Sequence, residues 1–66
     1  MEIKEVVAKL REIREKYESG QFSMAGANMI GKYYVDKFNE YSKQVAKKYK
    51  TSPKLIPNNV KFYPSK

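Results

Sequence analysis

At 66 residues, the chain is short enough that folding hides only about 60% of the surface its unfolded form exposes. It has neither cysteine nor histidine, which removes disulfides, thiolate metal sites and the usual ligands of zinc and haem. Helix packing and association with another chain are the remaining sources of stability for a chain of this size, and the formal net charge of +7 favours a polyanionic partner.

Ile3, Val6, Val7, Leu10, Ile13 and Tyr17 recur at spacings of three and four. At 100° per residue they fall in an arc of about 120°, the width of one buried helical stripe. The intervening positions are nearly all charged, with Glu5–Lys9 and Glu12–Lys16 in the favourable i,i+4 order. Ser19-Gly20 then supplies a helix stop. This predicts a first helix over 2–18.

Gln21-Phe22-Ser23 forms the connection, with Ser23 as N-cap of a second helix. Ala27, Ile30, Tyr34, Phe38, Tyr41, Val45 and Tyr49 again step by three and four, which predicts helix over 24–50. Gly26 and Gly31 each cost about 1 kcal/mol relative to alanine inside a helix. Two readings follow: a continuous helix, whose small residues let the first helix approach closely, or a helix split near 31–36. The apolar register does not slip across Gly31, and this favours continuity.

Thr51-Ser52-Pro53 ends the second helix, because the residue before a proline avoids helical geometry. Within 51–66, Leu55, Ile56, Val60, Phe62 and Tyr63 are too apolar for a solvated tail. Val60 and Phe62 alternate as in a strand, and Pro57-Asn58-Asn59 can turn. The expectation is an extended arm or a small β-hairpin packed on the helices. The fold class is therefore all-α: an antiparallel helical hairpin in one small domain. Two apolar stripes are thin for a monomer, which predicts either docking of the tail or a homodimeric bundle.

Charge is distributed unevenly. Residues 1–18 carry five basic and five acidic side chains, whereas no acid follows Glu40 and seven lysines do. On the second helix Lys43, Lys47 and Lys50 are spaced i, i+4, i+7, with Lys32 on the same side, and Lys54 and Lys61 follow in the tail. Such a row tracks phosphates with salt-dependent, sequence-indifferent affinity. Its structural alternative is plain solubility, and cations near a helix C-terminus also complement the dipole. Tyr33 and Tyr63 interleave with these lysines and are candidates for stacking on bases. Tyr34, Phe38, Tyr41 and Tyr49 lie on the apolar stripe and are assigned to the core.

Catalysis is not expected. General acid–base work near neutral pH falls most often to histidine, the carboxylates alternate with bases along the first helix, and no phosphate-binding glycine loop follows a strand. No cofactor, metal or small-molecule substrate is implied. No apolar run reaches the roughly 20 residues of a membrane span, and the charged start lacks a signal-peptide core. A cytoplasmic protein is expected.

The run Ser23-Met24-Ala25-Gly26-Ala27-Asn28-Met29-Ile30-Gly31 resembles the first helix and turn of a helix-turn-helix, although Lys32, Lys37 and Glu40 are polar where that motif packs. The resemblance implies a turn at Gly31, a recognition helix after it and a tail acting as wing. The expected function is nucleic-acid contact through Lys32, Lys43, Lys47, Lys50, Lys54, Lys61, Tyr33 and Tyr63. The alternative is a protein-interaction or assembly module, and peripheral binding to anionic lipid through the same lysines ranks third.

Overall fold

A computed structural model describes residues 2–65. Helix α1 spans Ile3–Glu18 and helix α2 spans Met24–Tyr49, and the two pack against each other. Among the described residues there is no strand, and none of the helices is long and apolar enough to cross a membrane.

Local chemistry explains both ends of the connection. Gly20 takes φ +84, its N–H donates to the Tyr17 carbonyl at 3.1 Å, and the Gln21 N–H donates to the Lys16 carbonyl at 2.8 Å. This is a Schellman termination, which requires a left-handed residue just past the helix and favours glycine there. Ser23 then caps α2, its hydroxyl accepting from the Gly26 N–H at 3.1 Å. The chain therefore reverses within five residues, and the helices run antiparallel.

Helix α2 passes through Gly31 without interruption. The split near 31–36 does not occur, and neither does the turn of a helix-turn-helix. Gly31 is buried against the tail, where any side chain would collide with the Tyr63 ring. Its small size answers a packing demand and leaves the helical hydrogen bonds undisturbed.

The core joins Val6, Leu10 and Ile13 of α1 to Ala27 and Val35 of α2, and it is closed by Val60 and Tyr63 from the tail. Tyr17, Phe22, Tyr34, Phe38 and Ile56 pack around it. Helix α2 thus has two partners: α1 on the Ala27–Tyr34–Phe38 side, and the tail on the side of Asn28, Gly31, Val35 and Asn39. Ile30, Tyr41 and Tyr49, expected in the core, are 47%, 46% and 65% exposed instead. The second partner rotates the buried face of α2 away from them.

The tail differs from the expected arm or hairpin. After Tyr49 it is irregular, and it closes in a short 3-10 turn at Val60–Phe62. Backbone hydrogen bonds that a strand partner would have satisfied go to asparagine side chains. The Asn39 amide clamps Ile56 from both sides: its Oδ1 accepts from the Ile56 N–H at 2.9 Å, and its Nδ2 donates to the Ile56 carbonyl at 3.0 Å. Asn28 Oδ1 accepts from the Val60 N–H at 2.7 Å. Arg14 Nη1 donates to the Tyr63 carbonyl at 2.6 Å, tying the tail to α1 as well. Asn59 caps the 3-10 turn, its Oδ1 accepting from the Lys61 N–H at 3.0 Å. Leu55 and Phe62 remain exposed.

Candidate nucleic-acid interface

The pins between tail and α2 decide which lysines come together. At 1.5 Å per residue, Asn39 and Asn28 lie about 16 Å apart along α2. Because Ile56 is held at Asn39 and Val60 at Asn28, the tail runs back antiparallel to α2. Lys54, two residues before Ile56, is set near the level of Lys43, one helical turn beyond Asn39. Lys61, next to Val60, is carried to the opposite end of α2, nearer to Lys32.

Lys43, Lys47, Lys50 and Lys54 accordingly form one basic end, with Lys32 and Lys61 forming a separate pair. The row expected along α2 is not continuous. Asp36 and Glu40 lie on the same helical face between Lys32 and Lys43, and Glu40 engages Lys37 at 3.8 Å. The six candidate lysines are all exposed, and none is in an ion pair among the described residues. Ion pairs concentrate on α1 instead, where Glu12 meets Lys16 at 3.4 Å and Lys9 at 3.7 Å, and Arg14 meets Glu18 at 3.6 Å. The pair Glu5–Lys9 expected from spacing is replaced by Lys9–Glu12.

The basic end projects beyond the body of the hairpin. Helix α2 is 26 residues and α1 16, lengths of about 39 and 24 Å. Ile3, in the first turn of α1, lines one cleft with Tyr41 and Gln44, so α2 from Val45 onward runs past the start of α1. That overhang accounts for the 40 Å long axis of a molecule only 19 and 18 Å across.

Lys50 occupies an unusual conformation. It ends α2 at φ 55, ψ 43, and it is the non-glycine residue with positive φ among those described. The termination is again of Schellman type, with the Thr51 N–H donating to the Ala46 carbonyl at 2.8 Å. Glycine is favoured at such a site, and a side chain there costs about 1–2 kcal/mol.

The two candidate stacking tyrosines part company. Tyr33 is 54% exposed, its ring edge-on to Tyr34 with centroids 5.4 Å apart and the Lys37 ammonium 5.5 Å from its centroid. Tyr63 is 1% exposed. Its ring lies over Gly31, its hydroxyl donates to Asn58 Oδ1 at 2.9 Å, and burial raises its pKa above the ordinary tyrosine value. No base can stack on it, and it is withdrawn from the candidate interface as a core residue. Periodicity could not reveal this, since its partner is a glycine 32 positions away.

No group of three or more acidic residues among those described is arranged to hold a metal ion. No family model, curated protein or solved structure matches the chain. The fold and charge define a small helical hairpin with a basic, projecting helix end.

Proposed function

We propose that the protein is a non-enzymatic nucleic-acid-binding module that grips phosphates through the projecting end of α2. Lys43, Lys47, Lys50 and Lys54 make the contacts, while Lys32 and Lys61 supply weaker ones at the far end. The observation that carries this reading is the basic end itself: four exposed lysines, Lys47 and Lys50 on the overhang with Lys43 and Lys54 at its base, and no acidic residue after Glu40 in the sequence. Lys50 adds support. A lysine held in left-handed geometry where glycine suits the backbone better gives up stability to keep a charge at that point. Affinity gained in this way is electrostatic and indifferent to sequence.

The test is charge reversal. Lys43→Glu combined with Lys47→Glu should abolish binding to labelled oligonucleotides while far-UV circular dichroism is unchanged. Unchanged binding by a folded double variant would contradict the assignment.

A second reading, self-association, is favoured by a different face. Tyr33 and Tyr41 stand about half exposed beside a cleft between the helices, and Ile30, equally exposed, borders a separate groove. The two readings share Tyr33, the stacking candidate that stays exposed, and otherwise use different residues.

A further inference from the structure

We infer that the ring of Tyr49, the last residue of α2, stacks on an unpaired base, which makes single-stranded nucleic acid the ligand of the basic end. This rests on the nucleic-acid reading above and adds to it one residue and a strand state.

Spacing assigns Tyr49 to the apolar stripe of α2, yet it stands on the overhang, beyond the start of α1. At 65% it is the most exposed aromatic side chain among the described residues. The other aromatics of α2 have apolar company. Tyr34 and Phe38 pack on the core, Tyr33 meets Tyr34 edge-on, and Tyr41 shares a cleft with Ile3 and Val6. Tyr49 instead meets a cation, the Lys48 ammonium lying 5.7 Å from its ring centroid. A cation over one face leaves the other open to a base. The backbone beneath is closed at once: the Lys50 N–H donates to the Lys47 carbonyl at 3.4 Å, and the Thr51 N–H donates to the Ala46 carbonyl at 2.8 Å. The ring is thus carried on a completed helical turn, set in place before any ligand arrives.

Charge selects the occupant. Lys47, Lys48 and Lys50 flank Tyr49 in sequence, all exposed and none in an ion pair among the described residues. On α2 the nearest acid is Glu40, about 14 Å back along the axis at 1.5 Å per residue. Glu2 precedes α1 at the same end of the hairpin. Three cations around one ring draw a polyanion, and a polyanion with open aromatic faces uses the ring as well. A duplex keeps the faces of its bases stacked on one another and shows only their edges in the grooves. A single strand offers a phosphate and an open base face at each nucleotide. Aromatic rings beside cations are how proteins bind single strands without sequence preference.

The test is fluorescence-anisotropy titration of the full chain with a labelled single-stranded oligonucleotide and with a duplex of equal length, over a series of salt concentrations. Tyr49→Leu removes the ring and keeps an apolar side chain. It should weaken single-strand binding about fivefold to a hundredfold at every salt concentration. The salt slope should not change, because no phosphate contact is lost. Duplex affinity should be unaffected, and Tyr49→Phe, which keeps the ring, should bind single strand as the wild type does. Tyr49→Gln is the second variant should Tyr49→Leu lose its helical circular dichroism, with the same expected loss. A folded ring-less variant that binds single strand as tightly as the wild type, or that loses as much affinity for duplex, overturns the stacking and leaves phosphate contact standing. A wild type that binds duplex alone does the same. A wild type that binds neither oligonucleotide at low salt overturns both the stacking and the nucleic-acid reading beneath it.

Discussion

Gly31 on α2 lies beneath the ring of Tyr63, so close that a β-carbon on Gly31 would stand 2.6 Å from Cε2 and 2.7 Å from Cζ. Alanine is worth about 1 kcal/mol more than glycine inside a helix, yet Gly31→Ala must displace a buried ring that is also hydrogen-bonded to Asn58. We expect a net loss of about 1–3 kcal/mol, seen as a lower thermal midpoint. In a Tyr63→Ala background, itself costing about 3–5 kcal/mol, the same substitution should become neutral or stabilising. An additive double-mutant cycle would show that the two residues do not compete for space.

Asn39 holds the tail through two hydrogen bonds to a single residue, Ile56. Asn39→Ala leaves both backbone groups of Ile56 without their partner and should cost about 1–3 kcal/mol. Amide hydrogen exchange locates the effect: protection at Ile56 should fall more than protection at Leu10. Equal loss at both sites would mean that the clamp does not hold the tail by itself.

The helices and their caps were legible because the signals are local: the three-four spacing on α1, the left-handed glycine after Ser19, and Ser23 ahead of Gly26. The face of α2 was only half legible. Its contact with α1 is apolar and shows in the periodicity. Its contact with the tail is made by Asn28, Gly31 and Asn39, residues that a search for apolar stripes passes over. Two asparagines three turns apart inside a helix were the available signal, since asparagine is a poor helix former and gains by bonding backbone elsewhere. The same blind spot placed Tyr63 among the exposed stacking candidates and led to an extended arm or hairpin where the chain is irregular with a 3-10 turn. At the basic end, the lysines on α2 were visible in sequence. The separation of Lys61 from Lys54 depends on where the two pins fall.

Lys50 terminates α2 in left-handed geometry. Lys50→Gly should therefore stabilise the fold by about 1 kcal/mol, raising the thermal midpoint by about 4–8 °C, while oligonucleotide affinity drops. A variant that is no more stable would remove the evidence that the lysine is kept there against the preference of the backbone.

Burial raises the Tyr63 pKa, so the folded state disfavours the phenolate. The associated stability is complete below the unfolded value of about 10 and is lost as pH rises through the higher folded value. Tyr63→Phe should cost about 1 kcal/mol at neutral pH by removing the bond to Asn58, and it should also show a smaller decline above pH 10. Parallel stability–pH curves for the two proteins would show that Tyr63 does not govern the alkaline limb.

Binding through phosphates has a thermodynamic signature that no structural role of these lysines would produce. The most direct measurement is fluorescence-anisotropy titration of labelled duplex and single-stranded oligonucleotides over a series of salt concentrations. Contacts from Lys43, Lys47, Lys50 and Lys54 predict a logarithmic slope of about −3 to −4, reduced by about one for Lys43→Gln. Absence of binding at low salt, or a slope that Lys43→Gln leaves unchanged, would contradict the proposal and leave the basic end of α2 as a solubilising surface.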